Sequence, residues 1–141
     1  MAQTDEDVGV INGVINSAFH RAAFKLGLND SEMSIFYVIG RYGEGCNQSE
    51  LYKRTGQRRS TINSAIRKME KDGLLYLEPG DGRNTRVFLT EKGRERSRDT
   101  VGRLLNIEAS IADAWDENER KEFVELTTRF FTQLSEEIEK F

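Results

Sequence analysis

The stretch "EPGDGRNTRVFLT", residues 78–90, decides how the chain is read. Before its tip, Leu75 and Leu77 alternate with Tyr76 and Glu78. After it, Val87 and Leu89 alternate with Arg86, Phe88 and Thr90. An apolar residue at every second position marks a strand with one buried face. "PGDGRN" between the two runs is a turn by composition. Its glycines suit a tight tip, where backbone angles closed to most residues are needed. The segment is a β-hairpin with Arg83 at its tip and Arg86 on its second strand.

Around the hairpin the period is helical. Directly upstream, "QRRSTINSAIRKMEKDG" sets Ile62, Ala65, Ile66 and Met69 on one face and Arg59, Ser60, Asn63, Arg67 and Lys71 on or near the other, with Gly73 as the stop. Further upstream, "CNQSELYKRTG" predicts a two-turn helix. Asn47 is its cap, with Glu50 three residues on as in a capping box. Leu51 and Tyr52 are its apolar anchors, and Gly56 takes the left-handed stop. Two helices joined by a turn of about four residues make a helix-turn-helix. A hairpin directly after that motif is a wing.

The flanks extend the helical pattern. Val8, Ile11, Ile15, Ala18, Phe19, Ala22 and Leu26 recur at three- and four-residue steps and predict a helix ending near Gly27. Asn29 or Asp30 caps the next helix, which carries Ile35, Phe36, Ile39 and Tyr42 and ends at Gly43 or Gly45. After the wing, Thr90 caps a helix whose apolar face runs through Val101, Leu104, Leu105, Ile111 and Trp115. Asp116 and Glu119 form a second capping box, and a last stripe follows through Phe123, Leu126, Phe130, Leu134, Ile138 and Phe141. No repeat or linker interrupts the pattern. The expected fold is mainly α with a small β-hairpin wing, a single domain over residues 1–141.

Composition narrows the function. Apolar residues make up 37% of the 141 residues and charged residues 32%, with one Pro, the balance of a folded chain with a charged surface. No apolar run approaches the length of a membrane span, and the N-terminus opens acidic without a signal-peptide core. The expectation is a cytoplasmic protein with no membrane partner. A lone Cys46 excludes an intramolecular disulfide, and with a lone His20 it gives no basis for a zinc site. No cofactor or metal is expected. "GDGRNT" lacks the Gly-Lys-Ser/Thr ending of a phosphate loop and leads into a strand rather than a helix. Carboxylates fall in solvated runs such as "DENERKE". No enzyme is expected.

Charge points to a partner. Residues 51–98 hold 13 Lys and Arg against 6 Asp and Glu, a net of +7 within a chain whose total is −3. A basic centre between acidic ends suits a polyanion. Arg58, Arg59, Ser60, Thr61, Asn63, Ser64 and Arg67 are the candidate DNA contacts of the recognition helix. Arginine there bonds guanine in a bidentate manner. Lys53 and Arg54 are candidate backbone contacts, and Asp81, Arg83 and Arg86 are the wing's. The competing reading is a winged-helix protein-interaction module that does not bind DNA. It would need a non-basic recognition face.

Over nearly its full length the chain resembles MarR-type winged helix-turn-helix transcriptional regulators. The resemblance is carried by "NQSEL", "STINSAIRKMEKDGLL" and "GDGRNTRVFLTEKG". Asp81, Arg83, Val87, Leu89, Thr90 and Gly93 stand where the family's wing pattern has its marked positions. It implies a homodimer paired through terminal helices, about 6–27 and 117–141, around a DNA-binding winged helix at about 30–98. The recognition helix would enter the major groove and the wing the minor groove of double-stranded DNA, at a pseudo-palindromic operator. Many members are repressors released by small lipophilic or phenolic effectors. Phe19, His20, Phe36, Tyr37 and Trp115 are candidate walls of such a pocket, or core packing.

The chain departs from the family pattern in places. Arg58 stands where a small or acidic helix cap is expected, which leaves the cap to Gln57 or the preceding loop. Cys46 lies outside the N-terminal helix and His20 stands alone, so neither redox nor zinc sensing is carried over. At the wing tip, Asp81 is expected to hydrogen-bond Arg83 and fix its direction.

Overall fold

The computed structural model describes residues 2–141, with side chains from Val8 onward. The elements in chain order are α1 (Ala2–Lys25), α2 (Asp30–Tyr42), β1 (Cys46–Asn47), α3 (Gln48–Thr55), α4 (Arg59–Lys71), β2 (Leu75–Pro79), β3 (Thr85–Leu89), α5 (Glu91–Asp99), α6 (Val101–Asp113) and α7 (Glu117–Ile138). The chain divides into two compact units, Met1–Leu105 and Asn106–Phe141.

In the first unit the predicted caps form. The Asn29 side chain accepts the Glu32 N–H at 2.8 Å, and Glu32 returns a bond to the Asn29 N–H, so a capping box opens α2. Asn47 accepts the Glu50 N–H at 2.9 Å to open α3, but among the described residues Glu50 returns no bond to the Asn47 N–H, so the expected capping box there is only half formed. Gly56 ends α3 at φ 66°, the left-handed region that glycine enters without penalty. Ile62, Ala65, Ile66 and Met69 are all buried on α4. They pack with Ile35 and Phe36 of α2, Leu51 of α3, Leu75 and Val87 of the sheet, and Val101. This core fixes α4 from one side and leaves its polar face free.

The sheet has three strands, in the order β1-β3-β2 and all antiparallel. The two strands of the expected hairpin are β2 and β3, in register from Leu75 opposite Leu89 to Pro79 opposite Thr85. The third strand was not expected. The run that opens at Cys46 predicts a helix alone, but Cys46 pairs with Val87 in β1. Two residues are too few to show an alternating pattern. Burial pushes the Cys46 thiol pKa up, so the thiol stays protonated near neutral pH.

The single helix expected between Thr90 and Trp115 is broken. Thr90 caps α5 by accepting the Gly93 N–H at 3.0 Å. At Thr100 the chain turns, with φ −117° and ψ −91°. The Thr100 hydroxyl bonds the Arg96 carbonyl at 2.6 Å, taking the acceptor that a continuous helix would give to the Thr100 N–H. That N–H tightens to Ser97 O at 3.3 Å instead. The turn delivers Val101 into the core, fully buried.

In the second unit, Asp116 and Glu119 form the expected capping box at the start of α7. The Glu119 N–H, foremost among its partners, holds the Asp116 carboxyl below its ordinary pKa. Trp115 meets Phe123 edge to face at 5.2 Å between ring centres. No residue of α7 is buried.

Candidate nucleic-acid interface

The turn between α3 and α4 is braced from α2. Gln57 accepts from the Ser31 hydroxyl at 3.0 Å and donates to the Ser34 hydroxyl at 2.9 Å. Gln57 is therefore committed to α2 and does not cap α4, which corrects one of the two options left open by Arg58. Arg58 occupies the cap position in an extended conformation and makes no side-chain cap bond. The first bond of α4 runs from the Ile62 N–H to the Arg58 carbonyl at 3.1 Å. Among the described residues nothing accepts from the Arg59, Ser60 and Thr61 N–H groups. A helix start with free N–H groups carries partial positive charge, and here two arginines add to it. Such an end attracts phosphate.

The recognition-helix candidates divide by exposure. Arg58, Arg59, Ser60, Thr61, Ser64 and Arg67 are exposed. They lie on the side of α4 away from its buried stripe. Asn63 is half-buried, because the Tyr52 hydroxyl of α3 bonds its side-chain oxygen. The Arg59 guanidinium sits over the same Tyr52 ring, 4.9 Å from its centre. Of the two backbone candidates on α3, Lys53 is exposed. Arg54 lies over the Tyr42 ring at 3.6 Å, a cation–π contact that draws it to the end of α2.

The wing tip is closed by its backbone. The Gly80 N–H bonds Asn84 O at 2.7 Å and the Asn84 N–H bonds Asp81 O at 3.2 Å, with Gly82 at φ 65°. Asp81 and Arg83 are both exposed at this tip. The expected hydrogen bond between them is not formed; the turn holds itself by main-chain bonds and leaves both side chains in solvent. Arg86 is not a free wing cation. Its Nε donates to Gly45 O at 2.9 Å, and its guanidinium lies 5.5 Å from the Phe88 ring centre.

The base of the wing has a residue that the sequence pattern did not mark. Glu44 accepts the Leu89 N–H at 2.9 Å and the Arg94 Nε at 2.9 Å. The Arg94 hydrogen bond is the chief cause holding the Glu44 carboxyl below its ordinary pKa; partial burial opposes it. On the other side of β3, Thr90 donates to Gly73 O at 2.5 Å and its N–H bonds Leu74 O at 3.1 Å. The wing is tied on one side to the end of α4 and on the other to α5.

A cavity of about 350 Å³ opens within the first unit between α1, α2 and α3. Phe19, His20 and Tyr37 line it together with Met33, Ser34 and Arg54, while Phe19 and Tyr37 also pack against the core. Phe19 and Tyr37 meet edge to face at 5.8 Å. His20 Nδ1 lies 2.9 Å from both carboxylate oxygens of Asp30 at the edge. Phe36 is fully buried in the core and does not reach this cavity. Trp115 packs on Phe123 in the second unit.

Comparison with known proteins fits this architecture. The MarR family profile matches residues 26–84. No curated protein sequence matches the chain. Among solved structures, NMB1585, a MarR family regulator from Neisseria meningitidis, is similar with a TM-score of 0.79 at 16% identity, covering 97% of this chain and 96% of that one. A MarR family transcriptional regulator from Silicibacter pomeroyi gives a TM-score of 0.71 at 21% identity, covering 89% and 86%. The Mycobacterium tuberculosis MarR family protein Rv2887, in complex with p-aminosalicylic acid, gives 0.61 at 17% identity, covering 89% and 96%. Residues 26–84 are thus similar to the MarR family, and the chain's fold is similar to that of solved MarR-family regulators.

Proposed function

We propose that the protein is a sequence-specific DNA-binding transcriptional regulator. The observation that carries this reading is the start of α4. Three free backbone N–H groups, two arginines and short hydroxyl side chains stand together on an exposed face, held rigid by a buried stripe behind it. A face of this kind enters a major groove without steric conflict and pairs with both phosphate and base edges. Lys53 and the wing's Arg83 extend the positive surface on either side.

The regulator acts as a homodimer. Phe123, Leu126, Phe130, Leu134 and Ile138 keep between 41% and 54% of their surface exposed along α7, a continuous apolar line with no cover among the described residues. Val10, Ile11, Val14 and Ile15 leave a similar face on α1. Patches of this kind are rare on monomers. Pairing residues 6–27 and 117–141 across a two-fold axis covers them and presents two copies of α4. An effector is accommodated by the cavity between α1, α2 and α3. Its aromatic walls and Arg54 suit a small aromatic acid or phenol, the chemistry of the p-aminosalicylic acid bound by Rv2887. Arg54 belongs to α3, so occupancy there bears on the element that precedes the recognition helix. The regulator is a repressor under this reading, released when the effector shifts α3.

The test is selection from a random duplex library, followed by titration across a salt series. An imperfect palindrome with half-sites about 10 bp apart is expected. Affinity should fall with salt as phosphate contacts release counterions. Arg59→Ala should cost about 1–3 kcal/mol and relax one base position. Failure to enrich any sequence, with no salt-dependent binding, would leave a protein-interaction module as the reading.

A further inference from the structure

We propose that Tyr52 of α3 sets which base Asn63 accepts, by turning the Asn63 carboxamide so that its oxygen faces the protein and its NH2 faces outward from α4. The inference rests on the DNA-binding reading above and concerns the specificity of that surface.

Two contacts carry it. The Tyr52 hydroxyl donates to Asn63 Oδ1, with Gln48 Oε1 a more distant acceptor at 3.4 Å. The Tyr52 ring lies under the Arg59 guanidinium at 4.9 Å. Arg59 and Asn63 are one helical turn apart and share a face of α4. One tyrosine therefore touches two neighbouring side chains of the recognition surface, each through a different part of itself. The ring holds the arginine and the hydroxyl holds the asparagine. Asn63 is half-buried while Arg59, Ser60, Ser64 and Arg67 around it are exposed.

The consequence follows from the planar amide. A free asparagine bonds adenine twice, its oxygen accepting from N6 and its NH2 donating to N7. With the oxygen held by Tyr52, only the donor arm faces the groove. A lone donor is matched by guanine, which offers N7 and O6, or by thymine, which offers O4. Adenine would accept at N7 but would leave its N6 amine without a partner, and an unpaired donor in an interface is costly. The wild-type protein therefore disfavours adenine opposite Asn63. Tyr52→Phe keeps the ring under Arg59 and releases the Asn63 oxygen, so it restores the two-bond adenine contact.

The experiment is parallel selection from one random duplex library with the full-length wild type, Tyr52→Phe and Asn63→Ala, each checked by thermal melting. Asn63→Ala flattens one base column and so identifies it. In that column the wild type should enrich guanine or thymine over adenine. Tyr52→Phe should raise the adenine share about fivefold, the scale of one hydrogen bond, and leave the column relaxed by Arg59→Ala unchanged. A purely structural tyrosine would lower the melting temperature or the overall affinity of Tyr52→Phe without altering that column, which overturns the inference while the DNA-binding reading stands. A wild-type preference for adenine opposite Asn63 overturns it whether or not Tyr52→Phe folds. If the wild type enriches no sequence at all, the DNA-binding reading falls and this inference falls with it.

Discussion

Glu44 and Arg94 lie fifty residues apart in sequence and form one ion pair, Arg94 Nε to Glu44 Oε2 at 2.9 Å, at the base of the wing. The second Glu44 oxygen takes the Leu89 N–H, so the carboxylate joins α5 to β3 through the loop before β1. The pairing lowers the Glu44 pKa. A carboxyl group depressed on folding adds stability above its unfolded pKa and loses it as pH falls through the folded value. Glu44→Gln should therefore lower the melting temperature near neutral pH. The gap to wild type should close as pH drops below the ordinary glutamate value of 4.5. Melts at matched pH check it, and a gap that persists in acid would assign the loss to packing.

Gly93 is set by close approach rather than by backbone angle. A Cβ built there would fall 1.8 Å from the Leu74 carbonyl oxygen, a backbone atom that cannot swing aside. The same carbonyl accepts the Thr90 N–H. Gly93→Ala should cost at least about 1–3 kcal/mol by overpacking, because α5 must lift from the end of α4. Urea unfolding measures it. An unchanged midpoint would mean that the start of α5 shifts freely.

What could be read in advance follows from range. The stripe of Ile62, Ala65, Ile66 and Met69, the left-handed stop at Gly56 and the caps at Asn29, Asn47, Thr90 and Asp116 are local patterns, and each is in place. β1 exists only because Cys46 and Asn47 meet β3 some forty residues on, and two residues carry no period. The break at Thr100 depends on a hydroxyl competing for one carbonyl, which the spacing of apolar residues does not register. At the candidate interface, exposure along α4 followed from the helical face. The partners of Arg54, Arg86 and Asn63 did not, since Tyr42, Gly45 and Tyr52 reach them only through the tertiary fold.

The dimer can be tested on α7 alone. Phe130 and Leu134 stand one turn apart in the exposed apolar line. Phe130→Asp places a charge where a partner surface would exclude water, while costing the monomer little because the position is open. Sedimentation should show the wild type as a dimer and the variant shifted toward monomer. Affinity for a two-half-site duplex should fall with it, and affinity for a single half-site should change little. A wild-type monomer at micromolar concentration would end the two-fold model of the operator.

Arg83 and Asp81 separate charge from geometry at the wing tip. Gly82 takes φ 65° and the Gly80–Asn84 and Asn84–Asp81 main-chain bonds close the turn, so neither side chain is needed to shape it. Arg83 is then a free cation at the end of a rigid hairpin, suited to a narrow minor groove where negative potential is highest. Arg83→Ala should weaken DNA binding, flatten the dependence on salt by about one contact and leave the melting temperature in place. Asp81 makes no bond to Arg83, so its carboxylate acts on DNA only by repulsion. Asp81→Ala should therefore tighten binding slightly, and more at low salt, where screening is weak. A loss of affinity in Asp81→Ala would show that the carboxylate turns toward Arg83 once DNA is bound, and that the pair forms in the complex rather than in the free protein.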